Sequence, residues 1–236
     1  KLKVGDAQYT AMCNFKGGVI DDMILYKEKK SFLLIVNASN IDKNFDWMSK
    51  INLSHNVNLD NISDQNSLIA IQGPNSRKTL ESILNQNVSN DFYTFIESSY
   101  KNSKIFISRT GYTGELGFEI MASNETIQFL WDAFIDMKVK PCGLASRDIL
   151  RIEMKYCLYG NDMDETVTPY ESNLGWITSL NKGDFIGKDT IIKKRDSYKL
   201  VGFKMLERGI PRRGYEILQD NNVIGKVTSG TQSPVL

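Results

Sequence analysis

Short apolar runs alternate with polar turns in the N-terminal part of the chain. Residues 9–14, 19–27 and 32–37 are rich in β-branched and aromatic side chains, which is typical of short strands. Gly17-Gly18 and the polar residues 28–31 lie between them, where turns are needed. The pattern therefore predicts an antiparallel meander of three strands.

A helix is predicted after the third of these strands. Ser39 or Asn40 can cap its first turn. The apolar residues that follow recur at helical spacing: Ile41, Phe45 and Met48. We expect this first unit to close near Asn61.

The next part of the chain switches between the periods of strands and helices. Residues 67–71 read as a strand, a helix opens after Gly73-Pro74 and runs to about Leu84, and residues 104–109 and 116–121 read as a hairpin. A second helix is marked by an apolar stripe: Ile127, Leu130, Trp131, Phe134 and Ile135. The order strand, helix, strand, strand, helix predicts a ferredoxin-like unit, with one further helix within residues 141–158. The predicted fold class is α+β.

The residue pattern changes after Gly187. Turns that contain Gly, Pro and Asn-Asn separate three strand-like segments at residues 200–205, 215–218 and 223–228. These segments predict the start of a small all-β unit. The chain begins at Lys1 without a methionine and stops at Leu236 just after a strand-like segment, so we expect a partial sequence.

Composition and charge narrow the function classes. With 41% hydrophobic and 24% charged residues, the chain has the composition of an ordinary soluble globular protein. Lys and Arg (29) nearly balance Asp and Glu (28), which gives little support to a nucleic-acid partner. No apolar run reaches the roughly 18 residues that cross a bilayer, and no signal-peptide pattern is present, so we expect no membrane partner and no secretion.

The three cysteines, Cys13, Cys142 and Cys157, have no CxxC spacing and sit in apolar stretches. This pattern predicts small buried hydrophobic side chains in a reducing compartment, which indicates an intracellular protein. The single histidine, His55, has no cysteine or carboxylate at metal spacing, and we assign it no ligand role.

Two adjacent acids stand out in the second predicted strand. Asp21 and Asp22 lie in mid-strand, where aspartate is depleted. Because successive strand side chains point to opposite faces, only one of them can face inward, and the other must face solvent or a cleft. A solvated strand acid and a functional carboxylate both stay open from this feature alone.

The segment SRTGYTGELGFE, residues 108–119, combines a glycine-framed turn with a carboxylate on the strand that follows. Gly111 and Gly114 frame a turn that presents Tyr112, and Glu119 lies among apolar residues. A carboxylate that accepts two parallel hydrogen bonds suits an amidine-like edge, such as that of a pterin, on which an aromatic ring can stack. A structural hairpin with an exposed glutamate is the alternative. A phosphate loop is not supported, because a strand follows instead of a helix.

The segment GLASRDILRIEMKY places Arg147 and Arg151 one turn apart on one helix face, with Asp148 beside them as a candidate tether. Solvated surface arginines are the commoner outcome of this spacing.

The residues of these segments and their order along the chain resemble the T protein family of the glycine cleavage system over nearly the whole chain. The resembling blocks include YTAMCNFKGGVIDD, LIAIQGPNS, SRTGYTGELGFE, GLASRDILRIE, YGNDMDE and KVTSGTQSP. The resemblance implies the folate-binding aminomethyltransferase fold, with ferredoxin-like units and a C-terminal small β-barrel-like domain. Residues 1–192 are expected to form the folate-binding region, with units at about 1–62 and 63–158. Residues 197–236 are expected to form the first part of the C-terminal domain.

The resemblance also implies the chemistry. Family members transfer the one-carbon unit from an aminomethyl group on the lipoyl arm of H protein to tetrahydrofolate, with release of ammonia. Tetrahydrofolate is then the co-substrate, lipoylated H protein is the partner, no metal is expected, and the protein is a monomer outside that complex. The expected compartment is the cytoplasm in a bacterium and the mitochondrial matrix in a eukaryote.

Carried over by position, Asp22 resembles the family's catalytic acid near the reacting folate nitrogens. Glu119 matches the carboxylate on the amino edge of the pterin, and Arg147 matches the arginine that completes this edge. The full set of implied folate-binding positions is Tyr9, Asn37, Tyr112, Glu119, Arg147 and Tyr156. Asn37 is expected to end the third strand.

Related proteins offer alternatives. A folate-dependent demethylase, or the folate-binding module of a sarcosine or dimethylglycine dehydrogenase, keeps the pocket and changes the donor. A pocket that binds folate without turnover is a further alternative. An iron–sulfur maintenance protein of this fold carries a KGCYxGQE signature, and residues 182–189 read KGDFIGKD instead, which disfavours that function.

Overall fold

The computed structural model describes residues 1–236. The strands are β1 (Ala7–Cys13), β2 (Val19–Lys27), β3 (Phe32–Ile35), β4 (Asn66–Gln72), β5 (Phe95–Tyr100), β6 (Ser103–Ser108), β7 (Gly117–Ser123), β8 (Glu216–Gln219) and β9 (Asn222–Lys226). The helices are α1 (Ile41–Asn52), α2 (Ser76–Leu84), α3 (Asn124–Asp136), α4 (Leu144–Glu153) and α5 (Lys188–Lys193). Helices and antiparallel sheets together confirm the α+β class. No helix is both long and apolar enough to cross a membrane.

The chain forms two compact units, and both are discontinuous in sequence. The first contains residues 1–8 and 24–143, and the second contains residues 9–23 and 144–236. Strands β1 and β2 pass from one unit to the other and, with β3, form a three-stranded sheet of order β1-β2-β3. This sheet confirms the three predicted strands. The domain boundaries expected from the sequence stay predictions.

A four-stranded sheet forms the centre of the first unit. Its order is β4-β7-β6-β5, and every neighbouring pair is antiparallel. Alternate side chains of β4, β6 and β7 point to one face, where α2 and α3 pack. The buried residues of this core are Ile69, Ile71, Leu80, Val88, Ile105, Ile107, Phe118, Ile120, Ala122, Ile127, Leu130 and Phe134. Their removal from water is the main force that holds the unit together.

The sequence pattern does not predict β5. It is an edge strand and pairs only with β6. Of its six residues, FIESSY, only Phe95 is buried. Because the polar residues Glu97, Ser98 and Ser99 interrupt the segment, the apolar signal of a strand is weak there. The unit therefore has three consecutive strands between α2 and α3, where two were predicted.

The opposite face of this sheet carries an aromatic cluster. Phe106 alternates along β6 with Ile105 and Ile107, so it points away from the helices. Its ring stacks on Phe95 with centroids 4.4 Å apart and meets Tyr26 edge-on at 4.9 Å. Aromatic pairs of this kind contribute about 0.5–1.5 kcal/mol beyond their buried area. The cluster fixes Tyr26, at the end of β2, beneath the hairpin of β6 and β7.

The second unit has a smaller core, whose buried members are Val19, Cys157, Met163 and Leu174. The start of β2 reaches it because Gly18 has no side chain: a Cβ atom there would lie 1.7 Å from the carbonyl oxygen of Glu165. The amide of Val19 donates to carbonyl oxygens of the same segment, residues 164–167, at 3.0 Å. Gly17-Gly18 was predicted only as a turn, and it also permits this close approach.

The predicted C-terminal strands are confirmed in part. β8 and β9 pair antiparallel near the segments predicted at residues 215–218 and 223–228. The strand predicted at residues 200–205 is wrong, because no neighbouring strand pairs with it. The amide of Leu200 donates instead to the carbonyl oxygen of Glu171 at 3.1 Å. An apolar run forms a strand only where a partner satisfies its backbone groups, and a local pattern does not reveal that partner.

Leu130→Ala should lower the free energy of unfolding by about 3 kcal/mol, because Leu130 is fully buried between α3 and the sheet. Leu53, which is 90% exposed, offers a matched control. Leu53→Ala should change the same free energy by less than about 0.5 kcal/mol. Urea unfolding followed by circular dichroism measures both, and equal losses in the two variants would contradict the core described above.

Candidate functional site

Asp22 lies in the middle of β2 and is held by a phenol from the neighbouring strand. The hydroxyl of Tyr9, on β1, donates to Asp22 Oδ2 at 2.8 Å. Asp21 is fully buried, whereas Asp22 keeps part of its surface exposed. The two acids therefore differ in the way that strand alternation predicts. Asp22 is the one whose carboxylate can reach a ligand.

An exposed indole flanks this hydrogen-bonded pair. Trp176 lies in the one-turn helix Gly175–Ile177, and its ring stacks on Tyr9 with centroids 6.1 Å apart and planes 29° apart. It is 73% exposed. A flat or apolar group beside Asp22 would therefore meet aromatic surface.

Thiol chemistry is suppressed near Asp22. Burial, followed by the negative charges of Asp162 and Asp22, raises the pKa of the Cys157 thiol to about 12. Burial also raises the pKa of Cys13 to about 11. Because the thiolate is the reactive form, neither cysteine is a nucleophile at neutral pH. The Tyr9 phenol that contacts Asp22 and the Trp176 ring that stacks on Tyr9 therefore lie at a site without a reactive thiol.

Glu119, on β7, is a half-buried carboxylate in the first unit. Thr110 Oγ1 lies 2.5 Å from Glu119 Oε2 and 2.9 Å from Ser108 Oγ. The hydroxyl of Tyr26 lies 3.4 Å from Thr110 Oγ1. Burial, followed by the charge of Glu119, raises the pKa of Tyr26 to about 12, so its phenol keeps its proton. A chain of hydroxyl groups thus orients the Glu119 carboxylate.

Gln72, at the end of β4, holds the GYTG turn. Its Nε2 donates to the carbonyl oxygens of Thr110 and Phe118, at 3.3 and 3.2 Å. A Cβ atom on Gly111 or on Gly117 would lie 2.1 Å from Gln72 Oε1. Gly111, predicted from turn geometry, and Gly117, on β7, therefore also make room for the amide that fixes the turn.

Asn37 and Tyr112, two further predicted positions of the first unit, are both half-buried. The prediction that Asn37 ends the third strand is wrong, because β3 pairs with β2 only as far as Ile35. Asn37 instead precedes the one-turn helix Ala38–Asn40, and its carbonyl oxygen accepts a hydrogen bond from the amide of Asn40 at 2.9 Å. Its proposed contact with folate stays a prediction.

The two arginines of α4 have different environments. Arg147 is exposed, whereas Arg151, one turn later, is only 2% exposed. The commoner outcome, a solvated arginine, therefore does not hold for Arg151. Asp148 is its tether, since Asp148 Oδ1 accepts from Arg151 Nε at 2.7 Å. Tyr156 is half-buried, and its carbonyl oxygen accepts from Arg151 Nη1 at 3.1 Å.

Known protein families match both parts of the chain. The GCVT N-terminal domain matches residues 1–182. The chain belongs to the glycine cleavage T-protein family. The T-protein C-terminal barrel domain matches residues 199–236, which confirms the barrel-like domain that was expected there.

Two relatives named aminomethyltransferase resemble the whole of this T-protein chain. The relative from Thermosipho melanesiensis is 47% identical, with 100% of this chain and 66% of the relative covered. The relative from Halothermothrix orenii is 45% identical, with 100% and 68% covered. The crystal structure of glycine cleavage system aminomethyltransferase T from Bartonella henselae matches with a TM-score of 0.86 at 30% identity, covering 99% of this chain and 66% of that one. This chain spans about two thirds of the length of these relatives.

The side chains present fit the flat, donor-rich ring of the folate that the T-protein resemblance implies. Glu119 has one carboxylate oxygen oriented by Thr110 while part of the residue stays exposed, which suits a ring edge with adjacent N–H donors. No group of three or more His, Cys, Asp or Glu side chains is arranged to hold a metal ion.

Sequence reasoning missed three groups of this T-protein chain, Gln72 and Thr110 in the first unit and Trp176 in the second. Gln72 lies in the block LIAIQGPNS and Thr110 lies in the block SRTGYTGELGFE, so both belong to segments that carry the family resemblance. A glutamine placed directly between the apolar segment LIAI and Gly73 was the available signal for Gln72. Trp176 has no such signal, because a single aromatic residue in a turn has no periodicity to mark it.

Cys142 should be the one fast-reacting thiol of the native protein. It is exposed, so the prediction that all three cysteines are buried is wrong for this residue. Ellman's reagent at pH 8 should modify one thiol quickly in the native state and all three after denaturation. Cys142→Ser should abolish the fast reaction, and Cys157→Ser should leave it intact. A second fast thiol would contradict the burial of Cys157 or the partial burial of Cys13.

Alkaline pH should destabilise the protein through the buried thiol of Cys157 and the half-buried thiol of Cys13. Their folded pKa values lie above the ordinary value of 9.0, so the unfolded chain loses these protons first. Stability is therefore fully present below about pH 9 and falls as the pH rises toward 11 and 12. Cys157→Ala should flatten this part of the curve of urea midpoint against pH, and Cys142→Ala should not change its slope.

Proposed function

We propose that this protein is an aminomethyltransferase of the glycine cleavage system, which transfers the one-carbon unit from aminomethyl-lipoyl H protein to tetrahydrofolate and releases ammonia. The observation that carries the proposal is a pair of oriented carboxylates, Asp22 held by Tyr9 and Glu119 held by Thr110, in a chain of the T-protein family. The names of the relatives support the same activity.

In this proposal Glu119 binds the amino edge of the pterin. The carboxylate accepts hydrogen bonds from neighbouring N–H groups of the ring, and charge-assisted bonds of this kind are stronger than neutral ones. Thr110 and Gln72 hold the carboxylate and its turn before the ligand arrives, which lowers the entropy lost on binding. Tyr112 and Tyr156 supply aromatic surface, and Asn37 and Arg147 supply hydrogen bonds.

Asp22 acts on the reacting centre by orientation and charge. Bound tetrahydrofolate supplies the amine nitrogens that accept the one-carbon unit. A carboxylate beside them orients the nucleophile and stabilises the positive charge that develops as ammonia leaves. Tyr9 fixes the direction of Asp22 through its hydroxyl, so the carboxylate is in place before the reaction begins. Full proton abstraction is not required.

Lipoylated H protein is the donor partner in this proposal, and the protein acts as a monomer outside that complex. The relatives from Thermosipho melanesiensis and Halothermothrix orenii support a bacterial type of protein, and we infer a cytoplasmic location.

The activity is tested with the intact protein, aminomethyl-loaded H protein and tetrahydrofolate, by following ammonia release. Ammonia that requires all three components supports the proposal. Turnover with only a methylated sulfur or amine donor would establish the demethylase alternative instead. Folate binding without turnover on any donor would show a binding module.

Asp22→Asn should lower kcat by about 10²–10³-fold, because it removes a charge whose interaction is strongest in the transition state. The Kd for tetrahydrofolate should change by less than about threefold, as measured by titration calorimetry. Asp184→Asn changes an exposed acid of the same unit and serves as the control. Unchanged turnover in Asp22→Asn would remove this residue from the mechanism.

Glu119→Gln should raise the Kd for tetrahydrofolate by about 10–100-fold, because the amide places donors where the ring also has donors. Glu115→Gln is the matched control, since Glu115 is an exposed glutamate in the same hairpin. Calorimetric titration of both variants gives the comparison. Equal affinity in the two would exclude Glu119 as the residue that holds the pterin edge.

A further inference from the structure

A buried ion pair between Arg151 and Asp162 links helix α4 to the block YGNDMDE, and hydroxyls of the block KVTSGTQSP complete its hydrogen bonds. The proposed function leaves both blocks unused. Arg151 of α4 is 2% exposed, and Asp162 is 8% exposed. Arg151 Nη1 donates to Asp162 Oδ2 at 2.7 Å. Both charges have left water, so each needs a full set of hydrogen-bond partners.

The Arg151 guanidinium has acceptors on three sides. Nε donates to Asp148 Oδ1 at 2.7 Å, within the same helix. Nη1 donates to the carbonyl oxygen of Tyr156 at 3.1 Å, in addition to Asp162. Nη2 donates to Ser229 Oγ at 2.8 Å. One side chain thus connects α4, the segment that follows α4, and the C-terminal barrel segment.

The Asp162 carboxylate is equally well satisfied. Its Oδ2 accepts a second hydrogen bond, from the amide of Leu158 at 2.9 Å. Its Oδ1 accepts from the hydroxyls of Thr228 and Ser229, the latter at 2.8 Å. Without these two hydroxyls, one oxygen of a buried carboxylate would lose its donors.

Such a network specifies geometry more than it adds stability. A buried ion pair gains little over well-packed apolar side chains, because desolvation offsets most of the attraction between the charges. The rigid, planar fork of arginine instead fixes where each acceptor lies.

The network holds the segment from Tyr156 to Asp162 at both ends. The amide of Tyr156 donates to the carbonyl oxygen of Arg151 at 2.8 Å, and the carbonyl oxygen of Tyr156 accepts from the guanidinium. Leu158 is bound by the Asp162 carboxylate. Between them, Cys157 packs in the core, and the negative charge of Asp22 contributes to the raised pKa of its thiol.

We propose that Arg151 and Asp162 are positioning residues for tetrahydrofolate binding, which act by holding Tyr156, and that Thr228 and Ser229 of the barrel domain complete their network. The inference rests on the proposed function, in which Tyr156 lines the folate pocket. It assigns the barrel segment a part in folate affinity, through residues that do not touch the ligand.

The test uses the intact protein with the double substitution Thr228→Val and Ser229→Ala, because loss of Arg151 itself can prevent folding. The KM for tetrahydrofolate should rise about tenfold, with kcat changed less than threefold. Ser233→Ala is the matched control. Ser233 lies in the same segment and donates to Glu153 of the same helix, outside the Arg151 network, so its KM should stay within twofold.

A double-mutant cycle separates positioning of Tyr156 from general loosening. In a Tyr156→Ala background, the double substitution should change the KM by less than twofold, because the aromatic ligand contact that the network positions is already lost. Full additivity of the two changes, or an unchanged KM in the double substitution alone, would overturn the proposal.

Hydrogen exchange distinguishes failure of this inference from failure of the proposed function. Amides of residues 156–162 should exchange at least tenfold faster in the Thr228→Val and Ser229→Ala protein, and not in Ser233→Ala. This result is expected whether or not the protein turns over H protein. Unchanged exchange would overturn the positioning inference, whereas normal positioning with no wild-type ammonia release would overturn the proposed function alone.

Discussion

The second unit depends on one constraint, which is that the charges of Arg151 and Asp162 are buried and must be fully hydrogen-bonded. A guanidinium and a carboxylate that leave water are tolerated only when each donor and acceptor is matched. Three parts of the chain supply the matches: helix α4, the segment after it, and the hydroxyls near residue 228. The position of the segment that carries Tyr156 follows from this requirement.

The first unit solves a similar problem for a charge that is only half-buried. Glu119 sits on a strand whose other side chains fill the core, so its carboxylate cannot move far without disturbing that core. Thr110 contacts the carboxylate and Gln72 holds the turn beside it. Tyr26 contacts Thr110 through its hydroxyl and packs its ring in the aromatic cluster. A candidate ligand-binding group is therefore anchored on rigid strands and oriented by hydroxyls, which is the arrangement that favours binding without a large loss of entropy.

The differences between expectation and structure have a common physical origin. Strand β5 was missed because polar residues interrupt this edge strand, and the strand at residues 200–205 was wrongly predicted because no partner strand lies beside it. Arg151 is buried although surface arginines are commoner, and Cys142 is exposed although its apolar surroundings predicted burial. In each case the local sequence does not show which residues of the fold lie next to the segment or side chain, and these neighbours decide strand pairing and burial.

By itself the sequence determined the α+β class, most of the helices and strands, and the resemblance that led to Asp22 and Glu119. Those features rest on short-range periodicity and on motifs of a few residues, which a linear sequence displays directly. Only the tertiary structure decided that Tyr9 binds Asp22, that Gln72 packs over two glycines, and that hydroxyls near the C-terminus complete the Arg151 network. These contacts join residues far apart in the chain, and burial, which makes them necessary, exists only after the chain has folded.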